Sequence, residues 1–336
     1  MHSGRFDALI PTHEQAWLFA AGRHLMPERN LPVAPLAAYD SVASKIAFAS
    51  TLDDLGLPQP AWRPVHAESE LAVLGYPVWV KAAHSTAGRG VALAHNQSEA
   101  IEAWRDLSQH GQVMIQMPAA GSYAQVQGVF EHGRLVGAAA SALIATGAGG
   151  SAAARISVDH PKAIEALRVL GSHLSWHGGI ALDYFHVNGE PAFIECNPRT
   201  VEPGNAAKAG VNLPELLIRL VTGPPLTTNV ELTSPGVRTR STMAIALGSA
   251  ERIGTRRAVL AALASAVGGR GEMRGSEEVL TPIVRDPFSI APAVFAVSSV
   301  LANPVSVRRL AQSAVDAYGV TTEAVETARL ASRDPE

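Results

Sequence analysis

Cysteine is nearly missing from this chain: Cys196 is the only one among 336 residues. An intramolecular disulfide is thereby excluded, as is a zinc site built on thiolates, and a reducing, cytoplasmic setting is expected. Charge of one sign is not in excess either. The 27 Lys and Arg stand against 30 Asp and Glu, a net charge of -3, so no broad basic face for nucleic acid or an anionic membrane surface is expected. An anionic ligand must then be met by local positive charge. The phosphate-loop pattern GxxxxGK[ST] does not occur, nor does a strand, GxGxxG and helix unit. The first residues, MHSGRFDALIPTHEQ, lack the basic head and apolar run of a secretory signal. Phe288 to Val307 is free of formal charge, but Pro292, Asn303 and Pro304 interrupt it, so a buried helix is expected there rather than a membrane span.

What is present suffices for a sizeable core. Hydrophobic residues make up 47% and charged ones 17%, which at this length fits two or three lobes. Residues 1–38 hold a strand-like DALIP, a helical HEQAWLFAAGRHL and a Pro-rich LPVAPL, too little to close a core without the residues after them. Residues 39–225 alternate strands and helices. DSVASKIAFASTLDDLG has helical apolar spacing from Asp40 to Gly56, SEAIEAWRDL is a helix capped by Ser98, and HPKAIEALRVLGSHL is a third. YPVWVKAA, VALAH, QVMIQM, AQVQGVFEHGRLVGAAAS and GGIALDYFHVNGEPAFIECN read as strands and hairpins. Antiparallel hairpins among helices predict an α+β architecture. From 226 to 336 the chain turns rich in Ala, Arg and Ser, with helical segments near 255–267 and 305–333, a mixed and mainly helical C-terminal lobe.

The chemistry concentrates at 178–199. GGIALDYFHV and EPAFIECNP are joined by Asn188-Gly189, a strong hairpin signal. Register then decides which side chains meet. A regular two-residue turn sets Asp183 opposite Ile194 and points it away from Glu195, whereas a three-residue loop or a bulge sets Asp183 opposite Glu195. Only the second brings Asp183, Glu195 and Asn197 onto one face, with Cys196 turned to the buried side. Two carboxylates and an amide oxygen are hard donors suited to Mg²⁺ or Mn²⁺. The bland reading of the same residues is a solvated Glu195–Arg199 ion pair and an edge aspartate.

In VWVKAAHSTAGRGV, Lys81 ends a β-rich run where an unpaired ammonium is seldom kept. The following Gly88-Arg89-Gly90 supplies a turn whose N–H groups and guanidinium suit phosphates. His173 and His177, four apart on a helix, read better as surface or packing histidines than as metal ligands. Residues 146–155 read either as a loop over an acceptor site, with Arg155 gripping an anion, or as a plain turn. Lys208 reads as a solvated helix charge, and His13 with Glu14 as a helix cap.

Taken in order, DSVASK with GLPQP (40–60), VWVKAAHSTAGRGV (78–91), VMIQMPAAGSY (113–123), GGIALDYF (178–185) and FIECNPR (193–199) resemble the ATP-grasp superfamily, in the manner of the ATP-binding domain of carbamoyl-phosphate synthetase and biotin carboxylase. The resemblance covers roughly 39–225 and is specific for the superfamily rather than for a reaction. It implies two α+β subdomains sandwiching ATP, with a hinge near 114–121. Lys45, at the second lysine of the usual DKxxxK pattern, would reach the α- or β-phosphate. Lys81 would hold the α/β-phosphates, with Gly88, Arg89 and Gly90 closing over them. Backbone groups around Gln116, Met117 and Ala119 would read adenine. Asp183, Glu195 and Asn197 match the magnesium ligands, and Arg199 matches the arginine that stabilises charge on the transferred phosphoryl group. The chain departs from the pattern at Ser41, where the first lysine stands, at Met117, where glutamate is common, and at Ser122, where an acid is frequent. Only the tail of the usual front α/β domain is present, so residues 1–38 read as a truncated remnant of it.

The resemblance implies an ATP- and Mg²⁺-dependent ligase that joins a small carboxylate to an amine or other nucleophile through an acyl phosphate, forming ADP and phosphate. NPRTVEP points to an alternative, phosphorylation of bicarbonate by a subunit like carbamoyl-phosphate synthetase or a carboxylase. The missing front lobe and Ser41 point to another, a nucleotide-binding protein without turnover. A homo-oligomer or a separate partner subunit is compatible with each.

Overall fold

The computed structural model describes residues 6–13, 15–25, 31–85, 90–223, 226, 228–281 and 286–307. At the N-terminus, α1 (Gln15–Ala21) forms where helical spacing predicts it. Residues 7–11 do not form the expected strand: Leu9 and Ile10 pack instead against two different apolar clusters, and among the described residues no strand pairs with them. Trp17 is buried and its indole N–H donates to Asp40 Oδ1 at 3.2 Å, which ties α1 to the next segment. There α2 (Leu36–Asp40) and α3 (Lys45–Asp54) replace the single helix expected from Asp40 onward. Asp40 ends the first, and Ser44 opens the second by accepting the Ala47 N–H at 2.9 Å.

A small sheet comes next, built from β1 (Trp62–Val65), β2 (Val78–Ala82), β3 (Val91–Ala94) and β4 (Val113–Gln116), antiparallel in the order β1-β4-β2-β3. Helix α4 (Gln97–Leu107) covers one face, packing Ala100 and Leu107 on Val78, Val80 and Ile115. Its cap is Asn96, which accepts the Glu99 N–H at 3.0 Å, and not Ser98, which falls inside the first turn.

Residues 117–121 cross to a second, eight-stranded sheet. Its middle comprises β5 (Ser122–Glu131), β6 (Arg134–Thr146), β7 (Ala152–Ser157), then, after α5 (Pro161–His173), β8 (Gly178–Val187) and β9 (Glu190–Asn197). After α6 (Gly204–Lys208) and α7 (Leu213–Thr222) come β10 (Glu231–Leu232) and β11 (Arg238–Arg240), then α8 (Thr242–Ile253), α9 (Arg256–Val267), β12 (Glu277–Glu278) and α10 (Ile290–Ala302). The order is β12-β11-β7-β6-β5-β8-β9, with β10 beside β6, so the chain after 226 adds strands to this sheet as well as helices.

Strand alternation sorts the large sheet into two faces. Ala124, Val126, Ala138, Ala140, Ile180, Leu182 and Tyr184 face α1, α2, α3 and α5 in the main core, around the fully buried Trp176, Leu167 and Leu170. Gln125, Gln127, Ser141 and Asp183 therefore share the opposite face, and each is buried.

The stretch 288–307 departs from expectation. It is helical over Ile290–Ala302, but among its large apolar residues only Val300 and Val307 are buried, while Phe288, Val294 and Phe295 are 88%, 53% and 70% exposed. Pro292 lies in the first turn, where its missing N–H is not needed, so it does not break the helix. The helix touches α8 and α9 along one edge, through Val300 against Ala246, Ala250 and Val259. No helix among the described residues is long and apolar enough to cross a membrane. The expected helix near 305–333 lies almost wholly outside them.

Candidate functional site

The site depends on one extra residue in β9. Asn188 and Gly189 both have positive φ, 52° and 82°, which is the two-residue turn that matches the twist of paired strands. Pairing is regular from Val187–Glu190 to Tyr184–Phe193. The register then shifts across Ile194, so that Asp183 faces Glu195, Leu182 faces Cys196 and Ala181 faces Asn197. The shortest turn and a bulge thus occur together, and the bulge delivers the pairing that brings the carboxylates together. Phe193 stays in the core, and Cys196 packs against it with its thiol pKa pushed well up by burial.

Asp183 is 8% exposed. Its Oδ1 accepts from Gln125 Nε2 at 2.8 Å and its Oδ2 from Asn197 Nδ2 at 3.1 Å, and the Tyr123 hydroxyl donates to it as well. Burial, and then the charge of Glu195, push this carboxyl up to about 6. Glu195 takes Lys45 as its ion-pair partner, with Nζ 3.2 Å from Oε1. Lys45 is itself held by Ser85, through Oγ at 2.9 Å and the carbonyl at 3.2 Å. Two facing carboxylates, one buried and disfavoured as an anion, with an ammonium drawn against the other, form a donor set that fits a hard divalent cation. Among the described residues no group of three His, Cys, Asp or Glu side chains gathers, and the polar neighbour beside the two carboxylates is the amide of Asn197.

From the small sheet, Lys81 comes near enough to Glu195 and Lys45 for their charges to act on it, and the three line the cleft between the two sheets. It is 7% exposed, donates to Gln116 Oε1 at 2.6 Å, and burial lowers its pKa to about 8, with Lys45 adding to the fall and Glu195 opposing it. Gln116 thus sits inside β4 as the partner of Lys81. The N–H of Met117 is committed to the Ala61 carbonyl at 2.8 Å, and Ala119 lies in the link between the sheets. Gly90 is required by close approach: a Cβ there would lie 2.4 Å from Ser85 Cβ. Gly88 and Arg89 fall outside the described residues.

Arg199 comes just after the bulged strand, its N–H donating to the Asn197 carbonyl at 2.7 Å, and it lines a cavity of about 10 Å³ with Ile10, Pro11, Pro32, Tyr39 and Thr200. Beyond it, Glu202 has the left-handed φ of 44°, an uncommon backbone for a residue with a side chain. Its Oε2 lies 3.3 Å from both Nε and Nη2 of the buried Arg155. Gln127 Oε1 accepts the Val201 N–H at 3.1 Å and so anchors this segment to the sheet. Sequence reasoning missed Gln125, Gln127 and the side chain of Gln116 as parts of the site. The signal for the first two is the run AQVQGV, where amides alternate with apolar residues on a buried strand.

His177 stacks on His132, ring centroids 4.2 Å apart at 10°, and burial, then His132, lower its pKa to about 4, while His173 is exposed. Lys208 pairs with Glu277 at 2.5 Å on the surface.

No protein-family model matches the chain. Two curated relatives do: the multifunctional protein URA2 of Saccharomyces cerevisiae is 26% identical over 209 residues, covering 56% of this chain and 9% of that one. The carbamoyl phosphate synthase large chain of Pyrococcus furiosus is 26% identical over 208 residues, covering 57% and 20%. This chain therefore spans a fifth or less of the length of these relatives. Among solved structures, the biotin carboxylase–βγ-ATP complex of Campylobacter jejuni matches with a TM-score of 0.58 at 16% identity, over 67% of this chain and 56% of that one. Likeness at this level speaks for the fold and not for the reaction: the chain has the ATP-grasp fold and resembles the ATP-binding domains of carbamoyl-phosphate synthetase and biotin carboxylase.

Proposed function

We propose that this chain is an ATP-grasp ligase, which uses ATP and Mg²⁺ to activate a small carboxylate for attack by an amine or another nucleophile. Residues 39–225 form the nucleotide-binding unit in this reading, after residues 1–38 and before the C-terminal region. The observation that carries it is the meeting of Lys45 and Lys81 with Asp183, Glu195 and Asn197 in one cleft, from α3, β2, β8 and β9.

In this mechanism Lys81, held by Gln116, and Lys45, released from Glu195, bind the α- and β-phosphates of ATP. Asp183, Glu195 and Asn197 hold the divalent cation, which when bound neutralises phosphate oxygens and polarises the transferred group. Arg199 meets charge developing on that group. The acceptor carboxylate oxygen attacks the γ-phosphorus, the bond to the bridging oxygen breaks, and ADP leaves with the electron pair. The nucleophile then attacks the acyl carbon of the mixed anhydride, inorganic phosphate leaves, and the amine proton passes to solvent. Backbone groups of residues 116–119 remain the proposed adenine readers, and Gly88, Arg89 and Gly90 the phosphate cover.

A second reading, bicarbonate as the phosphorylated acceptor, is favoured by the Arg155–Glu202 pair beside NPRTVEP and by the likeness to carbamoyl phosphate synthase and biotin carboxylase. ADP release with Mg²⁺ and ATP, measured against pooled amino acids and against bicarbonate, tests both. Acceptor-dependent ADP with amino acids supports the first, and bicarbonate-dependent ADP the second. A folded, ATP-binding protein that releases ADP with neither overturns turnover altogether.

A further inference from the structure

Beyond the proposed metal ligands Glu195 and Asp183, the large sheet carries on its polar face a row of side chains that phosphate and metal chemistry leave unused. Register sets Glu195, Asp183, Gln125, Ser141 and Ser157 side by side on β9, β8, β5, β6 and β7. Arg155, two residues before Ser157 and so on the same face, places Nη1 3.4 Å from Ser141 Oγ. Gln125 is 2% exposed, and donation from Nε2 to Asp183 fixes which way its amide points. Its other atom, Oε1, is buried without a hydrogen-bond partner. Natural proteins seldom keep such an oxygen idle. Along the row, Arg155 is 5% exposed, and its contacts to Glu202 and Ser141, at 3.3 and 3.4 Å, are at the long end for hydrogen bonds, which leaves a fork of donors loosely used. An orphaned acceptor and a buried guanidinium on one face, a hydroxyl between them, complement a particular class of molecule.

We propose that Gln125 is a specificity-determining residue of the acceptor site, and that the site takes a small oxyanion carrying its own hydrogen-bond donor. The anionic oxygens face Arg155 and the donor faces Gln125 Oε1. Bicarbonate, with its O–H, and α-amino carboxylates share this chemistry, whereas formate and acetate lack the donor. The inference rests on the ATP-grasp reading above and deepens it.

The test is calorimetric titration of the full chain saturated with Mg²⁺ and a non-hydrolysable ATP analogue. Bicarbonate is compared with formate, and glycine with acetate, in the wild type and in Gln125→Met. The wild type is expected to prefer the donor-bearing member of one pair by about 5- to 100-fold, the range for leaving a buried acceptor unsatisfied. The pair that shows it identifies the acceptor source, and Gln125→Met is expected to lose the preference while still binding the anions. Equal affinity within both pairs in the wild type overturns the proposal, as does a preference that survives in Gln125→Met. If that variant does not fold, Gln125→Leu, which likewise lacks the acceptor oxygen, is expected to lose the preference, and a preference that survives there overturns the proposal. Failure of the wild type to bind the analogue at all overturns the ATP-grasp reading instead.

Discussion

At Lys81 burial and phosphate chemistry pull in opposite directions. The cleft lowers its pKa from 10.5 to about 8, so the ammonium is lost as pH rises through that value, where an ordinary lysine keeps its charge. ATP affinity of the ligand-free protein is expected to weaken between about pH 7 and pH 9. In Lys81→Met the pH slope should vanish and affinity should fall by about 10- to 100-fold at neutral pH, the scale of a hydrogen bond to a charged group; fluorescence titration with a nucleotide analogue reads both. The proposed metal ligands call for a separate measurement. Asp183→Asn and Glu195→Gln each remove an oxygen charge from a site with two, and Mn²⁺ affinity measured by electron paramagnetic resonance should drop more than about tenfold, since even outer partners of metal sites cost that much. Unchanged Mn²⁺ binding in both variants would refute the assignment.

At the scale of elements, the β8–β9 hairpin sets which side chains face Asp183, and α8 packs closely on the large sheet. Gly189 holds φ 82° in the turn, so Gly189→Val forces a branched side chain into left-handed backbone at about 1–2 kcal/mol, read as a lower denaturant midpoint. Helix α8 approaches the end of β6 so closely that a Cβ on Gly248 would lie 2.7 Å from the Cα of Gly147. Glu251 accepts the Gly149 N–H at 2.7 Å, and Arg252 donates to the Thr146 carbonyl at 2.9 Å beside it. Gly248→Ala should therefore lower stability by about 1–3 kcal/mol, the cost of overpacking, because backbone rather than a movable side chain is in the way.

For the whole molecule, acid is the condition that exposes a buried histidine. His177 is neutral in the fold, its pKa lowered from 6.5 to about 4 by burial and then by His132. The unfolded chain takes up this proton as pH falls below 6.5 and the folded chain does not until about 4. The stability it contributes is present above the first value and is lost as pH falls through the second. Urea midpoints between about pH 7 and pH 4 should decline, and His177→Phe should flatten that decline; an unaltered slope would count against a buried neutral imidazole.

Much of the fold was legible because strand alternation is a local property. AQVQGV, VWVKA and GGIALDYF reveal their faces within a few residues, and α5 and α9 fall where apolar spacing places them. Helix caps were less so: Asn96 and Ser98 are chemically similar, and which one caps depends on where the chain leaves β3. The exposure of α10 was hidden because apolarity sets what a helix prefers to touch, not how much surface a neighbour offers.

The sequence by itself determined which groups this chain has for a cleft: two lysines, two carboxylates, an asparagine amide and an Asn-Gly turn that must reverse a strand. Their meeting was decided only in three dimensions. The bulge at Ile194 is favoured by the core holding Phe193 on one side and by polar partners holding Asp183 and Glu195 on the other, a balance no turn of two residues encodes. Lys81 with Gln116, 35 residues apart, and Arg155 with Glu202, 47 apart, are likewise products of sheet pairing and of the shared desolvation that makes buried polar groups find each other.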